Sequence, residues 1–262
     1  MPLIDTHVHL DVDEFGRDRD EALARARSAG VVAQVLPAIT RAHWQGLAEL
    51  AGRHGDLFPA YGLHPVYLES HADSDVGALD AWLAEHPAVA VGEIGLDGYV
   101  DDIASGAAWE RQWQLFTAQL DVALNHRLPV IIHARRALDQ VLKALRQRPG
   151  LTGIIHSFSG SRQQADQALG QGCCLGFGGP VTYPRANRLR RLVADLPSDA
   201  LVLETDAPDQ PSVNHRGERN EPSFLPEIAA CVAELRGVSG TELAGQTAAN
   251  ARRVLDLPDV AG

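Results

Sequence analysis

Leu3-Ile-Asp-Thr-His-Val-His9 is a short apolar run that closes on two histidines, and the fold is decided by how it and its repeats are read. Apolar runs of the same kind recur at residues 31–39, 57–63, 89–94, 129–133, 153–156, 173–177 and 201–205. Most are aliphatic throughout rather than alternating, the pattern of parallel strands buried on both faces. Between and after them, residues 19–29, 42–53, 75–85, 108–125, 137–148, 161–169, 187–195 and 224–235 carry apolar residues at helical spacing. Strands alternating with helices leave two architectures, a closed (β/α)8 barrel or an open doubly wound sheet. The open sheet wants Gly-x-Gly-x-x-Gly after its first strand. Here that strand ends in His-Val-His, and the glycines of Gly176-Phe-Gly-Gly179 come late with no phosphate-loop lysine. A TIM-type barrel is therefore the expectation, and 262 residues suit one such domain over residues 1–262.

Composition narrows the partners. The chain is 45% hydrophobic and 22% charged, as an ordinary globular protein is. Lys+Arg number 23 against 34 Asp+Glu, a net charge of -11 that argues against coating a polyanion or tethering to an acidic membrane. The three cysteines, Cys173, Cys174 and Cys231, form no disulfide framework and no zinc-type spacing, which suits a reducing cytoplasm. No leader and no membrane span is expected from the first residues or from any apolar run. No obligate protein partner is implied.

The residues that end the strands carry the chemistry. His7 and His9 stand at i and i+2, so a strand presents both imidazoles on one face. Glu93 follows an apolar run in Val91-Gly-Glu-Ile-Gly-Leu-Asp97, where a carboxylate is costly unless paired or metal-bound. His133, His156 and Asp206 end the runs of the fifth, sixth and eighth strands. Each taken alone has an ordinary reading as an exposed, core or turn residue. In a closed barrel, however, the carboxyl ends of all strands meet on one rim. Four imidazoles and two carboxylates there suffice for two divalent ions (Zn²⁺, Mg²⁺ or Mn²⁺), with one carboxylate bridging and positions left open. Such a pair generates hydroxide near neutral pH and clamps attacking and leaving oxygens, which suits phosphodiester hydrolysis. Asp206 is the candidate to hold and deprotonate the water.

With these residues in place, the chain resembles the TatD-type deoxyribonucleases among the metal-dependent hydrolase barrels. The resemblance rests on Asp5-Thr-His-Val-His9, Tyr61-Gly-Leu-His-Pro65, Val91-Gly-Glu-Ile-Gly-Leu-Asp97 and Ile132-His-Ala-Arg135. It continues through His156-Ser-Phe-Ser-Gly160, Leu203-Glu-Thr-Asp-Ala-Pro208 and Arg219-Asn-Glu-Pro222. The resemblance implies that His7 and His9 bind a first metal, completed by Asp206, that Glu93 bridges, and that His133 and His156 hold a second. It implies that His64 contacts a substrate phosphate and that DNA, single-stranded or at its ends, is the substrate. Two positions depart from the family pattern: Ala134 stands where Ser is usual, and Gly98 where an aromatic is usual.

Further candidates are secondary. Asp5 and Glu204 are read as partners that orient ligands, with an inward-facing arginine as the competing partner for Glu204. Arg135, Arg185, Arg216 and Arg219 are able to meet phosphate bidentately, Arg135 and Arg219 foremost. His43, His54, His71, His86 and His126 are expected to be bystanders, the tryptophans outer-layer packing, and Cys173 and Cys174 buried strand residues. Hydrolysis of a small ester, lactone or aminoacyl-nucleotide is the alternative. Its lysine-bridged subclass is excluded, because the single lysine, Lys143, falls in a helix after the fifth strand. A non-catalytic metal- or partner-binding protein is the reading from another class, and the retention of all six ligands speaks against it.

Overall fold

The computed structural model describes residues 2–258. Eight parallel strands follow one another around a single sheet in chain order. They are β1 (Leu3–Asp5), β2 (Val31–Pro37), β3 (Leu57–Tyr61), β4 (Ala90–Asp97), β5 (Val130–Arg135), β6 (Gly153–Ile155), β7 (Cys173–Phe177) and β8 (Leu201–Leu203). Helices α1 (Arg19–Ser28), α2 (Trp44–Arg53), α3 (Asp75–Glu85), α4 (Gly106–His126), α5 (Leu138–Arg146), α6 (Arg162–Leu169), α7 (Asn187–Asp195) and α8 (Leu225–Arg236) alternate with them. The seam between β8 and β1 is closed by backbone bonds, Thr6 N–H to the Leu203 carbonyl at 3.0 Å and His9 N–H to the Ala207 carbonyl at 2.8 Å. A side-chain clasp reinforces it, with Asp5 accepting from the Thr205 N–H at 2.9 Å and the Thr205 hydroxyl at 2.6 Å.

The aliphatic character of the strands has a direct cause. Alternate residues serve two separate apolar layers. Val130 and Ile132 of β5, Ile155 of β6 and Leu201 and Leu203 of β8 pack outward against the helices. Ile131, Ile154, Cys174 and Val202 pack with Ile4, Val35 and Ala60 inside the barrel. Strands buried on both faces have no polar side to show in the sequence.

The interior layer is sealed from below by a ninth helix, α9 (Gly240–Leu255), which lies beyond the last helix read from the sequence. Its Ser239 side chain accepts the Glu242 N–H at 3.1 Å, and Ala248, Ala251, Val254 and Leu255 join the barrel interior. Its buried face mixes alanines with Leu243, Val254 and Leu255, and the helix packs on the barrel floor. Strand lengths differ from expectation too. β1 ends at Asp5, short of His7, while β4 and β5 run on to Asp97 and Arg135. Among the described residues no helix is long and apolar enough to cross a membrane.

Because α9 closes the end opposite the strand carboxyl termini, damage there is expected to reach stability rather than chemistry. Leu255→Ala should lower unfolding free energy by about 2–5 kcal/mol. Urea denaturation reads this, and divalent-metal affinity measured in parallel should stay at the wild-type value.

Candidate metal centre

The interior parity that buries Ile131, Ile154 and Val202 carries one step of two residues further up each strand to His133, His156 and Glu204. Glu93 does not obey that parity. Val91 and Ile94 both face the helix layer. Val91 pairs with Val130 and Ile94 with Ile132, so β4 carries one extra residue between them. This bulge turns Glu93 back to the interior.

Glu93 is 2% exposed, and its two oxygens meet different sets of imidazoles. Oε2 lies 3.1 Å from His7 Nε2 and 3.6 Å from His9 Nε2. Oε1 lies 2.9 Å from His156 Nε2, 3.1 Å from His133 Nδ1 and 3.2 Å from His64 Nε2. Asp206 Oδ1 stands 3.4 Å from His7 Nε2 and 3.7 Å from His9 Nε2, on the Oε2 side. The structure thus brings together all six residues expected as ligands, and His64 with them. His7 and His9 do so from beyond the end of β1, where Val8 N–H bonds the Val35 carbonyl and Thr6 and His9 bond the β8 side.

The donor set fits divalent cations. His7 Nε2 and His9 Nε2 lie 3.1 Å apart while converging with two carboxylate oxygens, and the Nδ1 atoms of both rings are buried without a hydrogen-bond partner. A proton serves one such contact at a time, whereas a divalent cation takes all four donor atoms at once. His7, His156 and Asp206, and again His7, His9 and Glu93, offer ligand atoms mutually within 4.8 Å.

His64 differs in kind. Its Nδ1 accepts the Val66 N–H at 3.1 Å, so the ring proton sits on Nε2 and His64 reaches Glu93 as a donor. Burial lowers its pKa and favours this neutral form. Its carbonyl is held 2.8 Å from His71 Nε2, so His71, read from the sequence as a bystander, is a buried prop for the site. Burial pushes the Asp206 carboxyl up to about 6. Around Glu93 burial acts in the same upward direction, but the facing imidazoles of His64, His156 and His7 outweigh it and hold the carboxylate ionised.

Carboxylates behind the imidazoles decide their orientation. Asp97, which the sequence alone did not single out, accepts His133 Nε2–H at 2.9 Å and so leaves Nδ1 to face Glu93. Burial would raise Asp97, yet the bonds from His133 and from the Val100 and Tyr99 N–H groups hold it down to about 2. Glu204 accepts the Ser157 N–H at 2.5 Å and lies 3.7 Å from His156 Nδ1, so it faces a candidate ligand and no arginine. It fits because residue 176 is glycine, where a Cβ would come within 2.1 Å of Glu204 Oε2. Asp5 acts through the backbone, accepting the His7 N–H at 3.3 Å, and not through the His9 ring.

A cleft of about 830 Å³ opens above these groups, lined by His9, His64, Glu93, His133, His156 and Asp206 and walled by Phe158, Phe177, Pro180 and Leu189. Arg135 lines it, but Arg219 does not. Arg219 is tied to Asp18 at 2.6 and 2.8 Å and to Glu221 at 2.6 Å and lies on the Phe15 ring, which corrects the expectation that it meets substrate. Its carboxylate partners hold the segment after β8 against α1. Arg185 and Arg216 are exposed away from the cleft. Lys143 stands on α5 with its ammonium 5.8 Å from the Trp113 ring, far from any bridging position. Trp44, Tyr61 and Trp82 pack edge to face in the outer layer. Cys173 and Cys174 are buried, and burial pushes the Cys173 thiol up to about 12.

Asp97→Ala frees the His133 ring while leaving every facing group in place. The expected result is a loss of about 10–100-fold in divalent-metal affinity, read by competition with a chromogenic chelator, with the circular dichroism spectrum unchanged.

The chain matches known proteins over nearly its full length. A model of the TatD-related DNases matches residues 4–256. An uncharacterized metal-dependent hydrolase, YjjV of Escherichia coli K12, is 40% identical over 97% of this chain and 98% of its own. The crystal structure of YjjV superposes with a TM-score of 0.92, covering 98% of each chain. The protein named 3'-5' ssDNA/RNA exonuclease TatD from Erwinia tasmaniensis is 36% identical over 97% of this chain and all of its own length. Fold, clustered His, Glu and Asp side chains and sequence therefore converge, and the chain belongs to the TatD-related family of metal-dependent hydrolases.

Proposed function

We propose that the chain acts as one barrel domain that hydrolyses phosphodiester bonds of single-stranded nucleic acid from an end, using two divalent ions. The observation that carries this reading is the divided carboxylate of Glu93. Its Oε2 faces His7 and His9 beside Asp206, and its Oε1 faces His133 and His156. One buried carboxylate with a donor set on each oxygen is what a bridged pair of cations requires. His7, His9 and Asp206 would hold one ion and His133 and His156 the other, with Glu93 shared. The ions when bound supply Lewis acidity toward a phosphoryl oxygen and a water acidic enough to ionise near neutral pH.

This chain's own residues do the rest. Asp206 keeps Oδ1 toward the centre while Gln210 Nε2 donates to Oδ2, so the carboxylate is aimed before substrate arrives. From that position it orients a water and takes its proton. His64 Nε2–H, which meets Glu93 Oε1 at 3.2 Å in the structure, faces the cleft and would turn to a non-bridging phosphate oxygen once an ion occupies that Glu93 oxygen. Arg135, at the rim, meets negative charge on the substrate backbone. The end-wise action is supported by the shape, a cleft closed below by the packed barrel and walled by Phe158, Phe177 and Leu189, and by the name of the Erwinia relative.

The test incubates metal-loaded protein with 3'-labelled and 5'-labelled single-stranded DNA and RNA. Stepwise trimming from one end is expected. Chelation should abolish it, and Asp206→Asn should slow it by about 10²–10⁴-fold. Turnover of a lactone or aminoacyl ester with intact oligonucleotides would overturn the reading in favour of small-ester hydrolysis. Metal analysis after loading should return two ions per chain, and fewer than one overturns the bridged pair.

A further inference from the structure

At the cleft rim Arg135 stands in a group with Arg136 and Tyr99, and the last two have no part in the hydrolytic machinery. Tyr99, in the loop after β4, is 46% exposed. The Arg135 guanidinium lies 3.5 Å from its ring centroid and that of Arg136 4.6 Å. Consecutive strand residues point to opposite sides. Arg136 escapes that rule because its φ is 53°, a left-handed turn that brings both guanidiniums to one ring.

The loop beneath is built to match. Gly98 N–H bonds the Arg135 carbonyl at 2.7 Å, and a Cβ at residue 98 would meet the Arg136 carbonyl oxygen at 3.0 Å. A side chain at 98 would crowd that carbonyl, whereas the ring at 99 lies against both guanidiniums. Asp97 accepts the Tyr99 N–H at 2.7 Å with Oδ1 while holding His133 with Oδ2, so one carboxylate fixes both the metal centre and the ring.

The charge is uncompensated. Arg25, Arg27 and Arg148 are each paired with carboxylates at 3.0 Å or less. Arg135 and Arg136 have only the ring as a side-chain partner among the described residues. Stacking occupies the flat face of a guanidinium and leaves its N–H edge free, the edge that takes a phosphate bidentately. The opposite rim, from the β1 and β8 loops, carries Glu14 and Asp209. In a barrel ordered β1 to β8 those loops stand across from β4 and β5. A polyanion entering the cleft is repelled on one side and received on the other.

We propose that Arg135, Tyr99 and Arg136 form a second phosphate subsite, gripping the backbone of single-stranded nucleic acid where it leaves the cleft over the β4 and β5 loops. The subsite rests on the phosphodiesterase reading above. It gives an acidic protein a short basic path, one phosphate beyond the bond that is cut.

The test compares a fluorescent twelve-nucleotide thymidine strand with bis(p-nitrophenyl) phosphate, which has one phosphate and nothing to extend. Arg136→Ala and Tyr99→Ala should each lower the ratio of kcat/KM for the strand to that for the small diester by about tenfold, through KM. Fluorescence anisotropy with chelator present isolates binding from catalysis. There the dependence of log affinity on log salt should flatten by about 0.7 for each phosphate that is no longer neutralised. Tyr99→Phe, which keeps the ring, should restore both values. A wild-type protein that trims the strand, with ratio and salt slope unmoved in both alanine variants, overturns the subsite alone. A wild-type protein that neither binds nor cuts the strand overturns the phosphodiesterase reading and the subsite with it.

Discussion

A carboxylate held almost wholly out of water inside a protein must be matched by opposite charge or donors, or it takes up a proton instead. Glu93 sets this constraint for the whole molecule. Four of its five facing imidazoles come from four different strands or the segments that follow them, at β1, β3, β5 and β6, and His9 adds a second from the first. No local stretch of chain supplies such a set. Only closure of the sheet brings the contributors within 3.6 Å of one side chain. Barrel closure and the chemistry at its rim are in this sense one requirement.

The same strands divide stability from function along their length. Ile131, Ile154 and Val202 fill the barrel below, and His133, His156 and Glu204 stand two residues above them. The lower half is apolar and sealed by α9. The upper half is polar, open and expensive to bury. The buried carboxylates at its margin reduce that cost and tie the loops to the site at the same time. Asp97 joins His133 to the Tyr99 turn, Glu204 joins His156 to Ser157, and Asp5 joins His7 to Thr205.

Much of this was legible before folding. The regular return of aliphatic runs announced parallel strands, because burial on both faces removes the polar alternation. His7, His9, Glu93, His133, His156 and Asp206 were recognisable because each ligand-type residue ends or interrupts an apolar run. Asp97 gives no such signal, because an acid at a strand end has an ordinary turn role, which its Oδ1 indeed performs. α9 lies past the eight strand–helix units that the repeat announces. The sequence shows Arg219 as a charge without its partner, because Asp18 lies 201 residues away.

The sequence by itself determined the fold class, the metal-binding chemistry and the exclusion of a lysine bridge, since these depend on residue type and local period. Tertiary structure alone decided which way the decisive groups face. Glu93 has an outward parity by simple alternation and is turned inward by a bulge defined only by pairing with β5. His64 becomes a donor because Val66 occupies its other nitrogen. Arg135 and Arg136 keep their charge available because an aromatic ring, and no carboxylate, meets them. Orientation and pairing are relations between distant segments, and they exist only after the barrel has closed.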